Sequence, residues 1–74
     1  MRSIQIREEP IELCQLLKFA GLAASGGEAK AMIAAGRVEL DGRIETQKRK
    51  QVKAGARVTC GGETVVVQVG GSRD

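Results

Sequence analysis

The sequence predicts an α+β fold: two short helices packed on a small, mostly antiparallel sheet. Three observations lead there. Residues 25–42 show helical spacing in their first half, strand alternation in their second, and a turn at the end. A second helical stripe precedes this stretch. Two alternating runs follow it, joined by Gly61-Gly62. A hydrophobic period of 3.6 that gives way to a period of 2 is the signature of helices feeding strands.

In chain order, Ser3, Ile4, Gln5, Ile6 and Arg7 alternate and fit a first, edge strand. Glu8, Glu9 and Pro10 suit a helix start, with acids at the positive dipole end and proline in the first turn. Helix one is expected over residues 11–20. Its apolar stripe is Leu13, Leu16, Leu17 and Ala20, with Gln15 and Lys18 off it. Gly21 ends this helix, and Leu22, Ala23 and Ala24 form the link, with Leu22 buried.

Ser25 and Glu28 have capping-box spacing, so helix two is expected over residues 26–35. Ala29, Met32 and Ile33 would face the core, and Gly36 would take the left-handed C-terminal position. Val38 and Leu40 then alternate with Arg37 and Glu39, and Asp41-Gly42 is a strong turn signal. A two-residue loop would pair Leu40 with Arg43 and put Ile44 on the opposite face from Val38. An odd loop through Leu40, Asp41 and Gly42 would bring Val38 and Ile44 to one face, and it is the expected form. Residues 46–51 read as an extended, charged loop, and Ala54-Gly55 as a turn. Arg57–Cys60 and Glu63–Val69 read as hairpin strands, and residues 70–74 as a frayed tail.

Seventy-four residues allow a single domain, residues 1–74, with its core in about 11–69. A chain of this size buries only about 60% of its unfolded surface. Phe19 is the one aromatic residue and is expected in the core or partly buried at the helix end. No apolar run approaches the roughly 20 residues of a membrane span, and the N-terminus lacks a signal-peptide pattern. A cytoplasmic location without membrane contact is therefore expected.

Catalysis is the least supported class. There is no histidine, no phosphate-loop signature and no nucleophile elbow. Cys14 and Cys60 fall in apolar phases and read as small buried hydrophobes. Two cysteines without histidine do not make a zinc site, so no metal or cofactor is expected.

The charge pattern points to binding. Residues 30–57 hold eight basic and three acidic side chains, whereas the flanking segments are slightly acidic. A basic patch on a small domain is the footprint of a polyanion binder. Ser25, Gly26 and Gly27 open helix two, where free amides and the dipole favour a phosphate. Glu28 opposes that by adding negative charge. Lys30 lies one turn further in, Arg37 leaves the helix into the strand, and Lys48, Arg49, Lys50 and Lys53 follow. For Ser25 the capping role is the firmer one, and for Asp41 and Gly42 the turn role.

The ordered residues Leu13, Leu16-Leu17-Lys18, Gly21, Ser25, Ala29, Ile33, Gly36, Val38, Leu40-Asp41-Gly42, Gly55 and Val58 carry a resemblance. Their joint order and spacing resemble the alpha-L RNA-binding domain of the bacterial ribosomal protein S-four type, over nearly the whole chain. Stand-alone members are similar in Ser25-Gly26, in Glu45-Thr46 ahead of a basic triplet, and in Val52-Lys53-Ala54-Gly55. The resemblance implies a domain that binds structured RNA, with ribosomal or transfer RNA as candidates and a ribosomal or other protein as a further partner. It assigns contacts to Lys18, Ser25, Lys30, Arg37, Asp41 and Gly42, with Lys48, Arg49 and Lys50 in a more variable segment. Many members place a basic residue directly after the helix-two serine, where this chain has Gly26.

Few aromatics argue against recognition of splayed single strands by stacking, so shape recognition of folded RNA is expected. The alternative is a protein-interaction adaptor that docks through its basic face or through an exposed strand edge at residues 65–69.

Overall fold

A computed structural model of the chain describes residues 2–70. The elements are β1 (Arg2–Ile6), β2 (Ile11–Glu12), α1 (Leu13–Phe19), α2 (Gly26–Ala34), β3 (Val38–Leu40), β4 (Arg43–Ile44), β5 (Gln51–Val52), β6 (Arg57–Cys60) and β7 (Glu63–Val69). Five strands form one sheet in the order β1-β7-β6-β3-β4, and β2 pairs with β5 in a separate ribbon. Only β1 and β7 run parallel, so the predicted α+β architecture holds.

The core lies between the helices and one face of the large sheet. Leu13, Leu16, Leu17, Ala29 and Ile33 from the helices meet Val38, Val58, Cys60 and Val67 from the strands, and Val52 closes the group from β5. Along β6 and β7, buried residues alternate with exposed or half-buried ones, as one-sided burial requires. Met32 and Leu22 are only partly buried and pack against this cluster from its rim.

Both helices end as their glycines predict. The amide of Gly21 donates to the Lys18 carbonyl and that of Leu22 to the Leu17 carbonyl. Gly36 and Arg37 repeat the arrangement with Ile33 and Met32. This is the Schellman closure, and the φ of 75° at Gly36 is one that a side chain rarely adopts.

Helix one starts later than its spacing suggests. Ile11 and Glu12 pair with Val52 and Gln51 instead of opening the helix, and Pro10 precedes a strand. The first helical amides are then satisfied from outside the helix. Leu13 donates to the Lys50 carbonyl at 2.8 Å and Cys14 to the Lys48 carbonyl at 3.1 Å. Residues 46–51 are therefore more than an extended loop, because they cap α1 and lead into β5.

The β3–β4 turn also differs from the expected odd loop. Leu40 faces Arg43 and Glu39 faces Ile44, so the loop is the two residues Asp41-Gly42. Their φ values of 53° and 84° are both positive, the conformation that the right-handed twist of a tight hairpin favours. Asp41 tolerates it and gains a tie: its Oδ1 accepts from the Arg57 amide at 2.9 Å, while its own amide donates to the Arg57 carbonyl. Ile44 consequently lies on the face opposite Val38 and is exposed.

Two further expectations are corrected. Phe19 is not a core residue; it is 60% exposed. Residues 65–69 offer no free strand edge, because β7 is flanked by β1 and β6. The open edges of the large sheet are β1 and β4. Of the expected frayed tail, Gly70 donates its amide to the Ile6 carbonyl at 2.8 Å, and residues 71–74 lie outside the described residues.

The burial contrast along α1 sets an expected outcome. Leu16→Ala removes a fully buried side chain and should cost about 2–5 kcal/mol. Phe19→Ala, three residues on, should change stability by no more than about 0.5 kcal/mol. Urea unfolding of the two variants measures both.

Candidate nucleic-acid interface

Helical spacing builds the first part of the site. Cys14 and Lys18 lie one turn apart on α1, as do Gly26 and Lys30 on α2. Where the two helices approach, Glu12, Cys14, Gln15, Lys18, Gly26 and Lys30 line one groove. Both lysines are exposed, so their ammonium groups stay hydrated while their stems cover the groove walls.

The basic triplet joins this groove through α1. The carbonyls of Lys48 and Lys50 cap the helix, and between them the Arg49 side chain reaches Glu12, with Nε and Oε2 at 3.2 Å. The Arg49 side chain is 83% exposed, so this pair contributes less than about 1 kcal/mol. A phosphate can therefore take over the guanidinium at little cost. Lys48 and Lys50 have no ion-pair partner among the described residues.

Other predicted residues fall elsewhere. Lys50 and Lys53 share a second depression with Asp41, on the β5 side. Asp41 and Gly42 line a third, with Arg57, Thr59 and Thr64. Because the Asp41 carboxylate already accepts the Arg57 amide, its observed role is structural. The structure thus brings Lys18, Gly26 and Lys30 into one groove, with Arg49 tied to it through Glu12, while the Lys50 side chain lines the β5-side depression with Lys53. It does not bring Asp41 and Gly42 into that groove.

The start of α2 is largely self-satisfied. Ser25 Oγ accepts from the Glu28 amide at 3.1 Å, and Glu28 Oε1 accepts from the Ala24 amide at 2.6 Å. The Glu28 carboxylate therefore already sits at the positive end of the helix dipole. Gly26 and Gly27 leave their side-chain positions open, with nothing closer than the Ser25 hydroxyl at 3.9 Å from Gly27.

Arg37 is exposed at the entry to β3 and lies close enough to Cys60 to act on it. Burial pushes the Cys60 thiol above its ordinary range. The Arg37 charge pulls it back down, and Glu28 pushes it up. Cys14 and Cys60 are both free and buried, and no cluster of potential metal ligands occurs among the described residues.

Three groove residues, Glu12, Cys14 and Gln15, escaped the sequence reading as site residues. Gln15 could have been found from its phase, three positions before Lys18 on the same face. The Glu12–Arg49 pair could not, because it depends on residues 46–51 folding back onto α1.

Comparison with known proteins identifies the family and the fold. A family model described as S4 domain matches residues 4–68. The chain is 43% identical over 68 residues to the Escherichia coli (strain K12) protein named "Putative RNA-binding protein YbcJ", covering 90% of this chain and 97% of that one. It is 40% identical over 70 residues to a tyrosine–tRNA ligase of Ralstonia nicotianae, covering 95% of this chain but 16% of the ligase. The solution structure of YbcJ from E. coli, described as an alfaL motif involved in RNA-binding, superposes with a TM-score of 0.71 at 41% identity. That match covers 93% of this chain and 89% of the other.

Two measurements check the geometry. Ser25→Ala should lower stability by about 0.5–2 kcal/mol through loss of the cap, with no RNA present. Cys14 and Cys60 should both resist alkylation in the folded protein at mildly alkaline pH and react quickly in urea, since both side chains are buried away from the reagent. Rapid modification of either thiol in the folded state would contradict the burial described.

Proposed function

The chain belongs to the S4-domain family, and from that premise we propose that it binds structured RNA through the groove between α1 and α2 and the basic segment 48–50. The observation that carries this reading is the placement of Lys18 and Lys30 around one groove, with Arg49 reaching the Glu12 of that groove and the Lys48 and Lys50 carbonyls capping α1. Exposed cations spread over these neighbouring surfaces match the spaced charges of an RNA backbone rather than a single small anion.

In this reading the phosphates replace Glu12 as the partner of Arg49 and take the exposed ammonium groups of Lys18, Lys30, Lys48 and Lys50. Gly26 and Gly27 leave their side-chain positions clear for a close approach of the RNA, and Ser25 and Glu28 hold that helix end in place. Lys53 and Arg37 extend the field to either side. Shape and charge spacing select the RNA, because the groove offers few groups to read a base edge. The molecule acts as a binding module rather than an enzyme, in the cytoplasm, with residues 1–74 as one domain. The likeness to a short stretch of tyrosine–tRNA ligases supports transfer RNA as a candidate ligand, and ribosomal RNA is the other.

Binding to a panel of folded RNAs and matched single strands, measured across a salt series, tests the proposal. Folded RNA should bind more tightly, and affinity should fall steeply with salt. Replacing Lys48, Arg49 and Lys50 by Ala should reduce the log–log salt slope by roughly 0.7–0.9 for each phosphate that is no longer neutralised. Equal affinity for every polyanion, or an unchanged slope in the variant, would overturn the assignment.

A further inference from the structure

Phe19 is the last residue of α1, the one aromatic side chain in the sequence, and 60% exposed. It stands off the buried stripe of Leu13, Leu16 and Leu17, so core packing does not account for it. With Ile11, Gln15 and Lys18 it lines an open depression on the outer side of α1. Gln15 and Lys18 also line the groove that holds Lys30. The cationic groove and the aromatic surface are therefore continuous, and Lys18 borders both.

We propose that Phe19 stacks on one unpaired base of the bound RNA, at a point where a duplex is interrupted by a bulge or a loop. The inference rests on the RNA-binding reading above and adds a ligand feature to it. A phosphate held by Lys18 presents its own nucleotide to the adjoining depression. There the Phe19 ring and the half-buried Ile11 side chain supply an apolar surface, and the Gln15 amide can both donate to and accept from a base edge. A base locked in a duplex cannot present its face to the ring, whereas a bulged base can, and every base has a π face to offer.

Charge is consistent with that occupant. Glu12, the acid in the groove, is paired with Arg49. Glu8 lines an adjoining depression that shares Ile11, Gln15 and Phe19 with the one bordered by Lys18, and there Arg7 offsets its charge.

The test uses two hairpin RNAs that differ only by a single-nucleotide bulge. Wild-type protein, Phe19→Ala and Phe19→Trp are compared for affinity and salt dependence. Phe19→Ala should weaken binding of the bulged RNA about tenfold, within the roughly five- to hundredfold range of a stacked base. It should leave the paired RNA and the salt slope unchanged. The sequence contains no Trp or Tyr, so Phe19→Trp introduces a single fluorophore. That variant should retain affinity and be quenched by the bulged RNA alone.

If Phe19→Ala binds both RNAs as the wild type does, the patch serves another occupant, such as an apolar peptide, and the stacking proposal is wrong. Equal weakening on both RNAs also overturns it. If the wild type binds neither RNA, the RNA reading fails and stacking fails with it.

Discussion

Helix α1 has seven residues and no side-chain cap at its N-terminus. A helix this short does not sustain itself in water, because nucleation is costly and few bonds follow it. Its first two amides are instead satisfied by the carbonyls of Lys48 and Lys50. That pair of hydrogen bonds orients the stripe of Leu13, Leu16 and Leu17 against the sheet. It also sets the ribbon of β2 and β5, and through Val52 it ties the basic segment to the core. Two of the lysines proposed to carry charge at the interface, Lys48 and Lys50, are thus also those whose backbone starts the helix.

This sharing separates main-chain work from side-chain work. The peptide carbonyls at 48 and 50 face inward to α1, while the ammonium groups remain exposed. Substitution of the side chains removes charge without removing the cap, since the cap depends only on the backbone. Not every predicted binding residue has this freedom. The Ser25 hydroxyl and the Asp41 carboxylate are already engaged within the fold, and a ligand would have to compete for them.

The sequence was most legible where local signals were strong. Gly21, Gly36, Ser25 and the Gly61-Gly62 turn act over a few residues, and each occurs where its chemistry requires. The α+β class follows from the same periodicities. What could not be read depended on partners distant in sequence. Helix one begins at Leu13 rather than residue 11 because Ile11 and Glu12 find strand partners at residues 51 and 52. The loop parity was decided by the two positive φ values at Asp41 and Gly42 and by the tie from Asp41 to Arg57, against an apparent need to bury Ile44. Phe19 was expected in the core or partly buried at the helix end, but its position on α1 lies off the buried stripe and leaves it exposed. In the candidate site, Lys18 and Lys30 could be placed from helical phase alone. The position of Arg49 required knowledge of how the 46–51 segment folds back.

The parallel pairing of β1 with β7 has a kinetic meaning. Arg2 faces Val65 and Ile6 faces Val69, and Arg2 also bonds Glu63 and the end of α1 at Ala20. Every other strand pair and both helices can assemble from nearer segments. Only this seam joins the two extremes of the described chain, and the entropy of closing so long a loop must be met before its bonds form. Such non-local pairing slows folding relative to a helical domain of the same length. The seam is therefore expected to zip shut last, onto a β6–β7 hairpin that already exists. A chain stalled before that step would present β7 as a bare, valine-rich edge, open to pairing with another molecule.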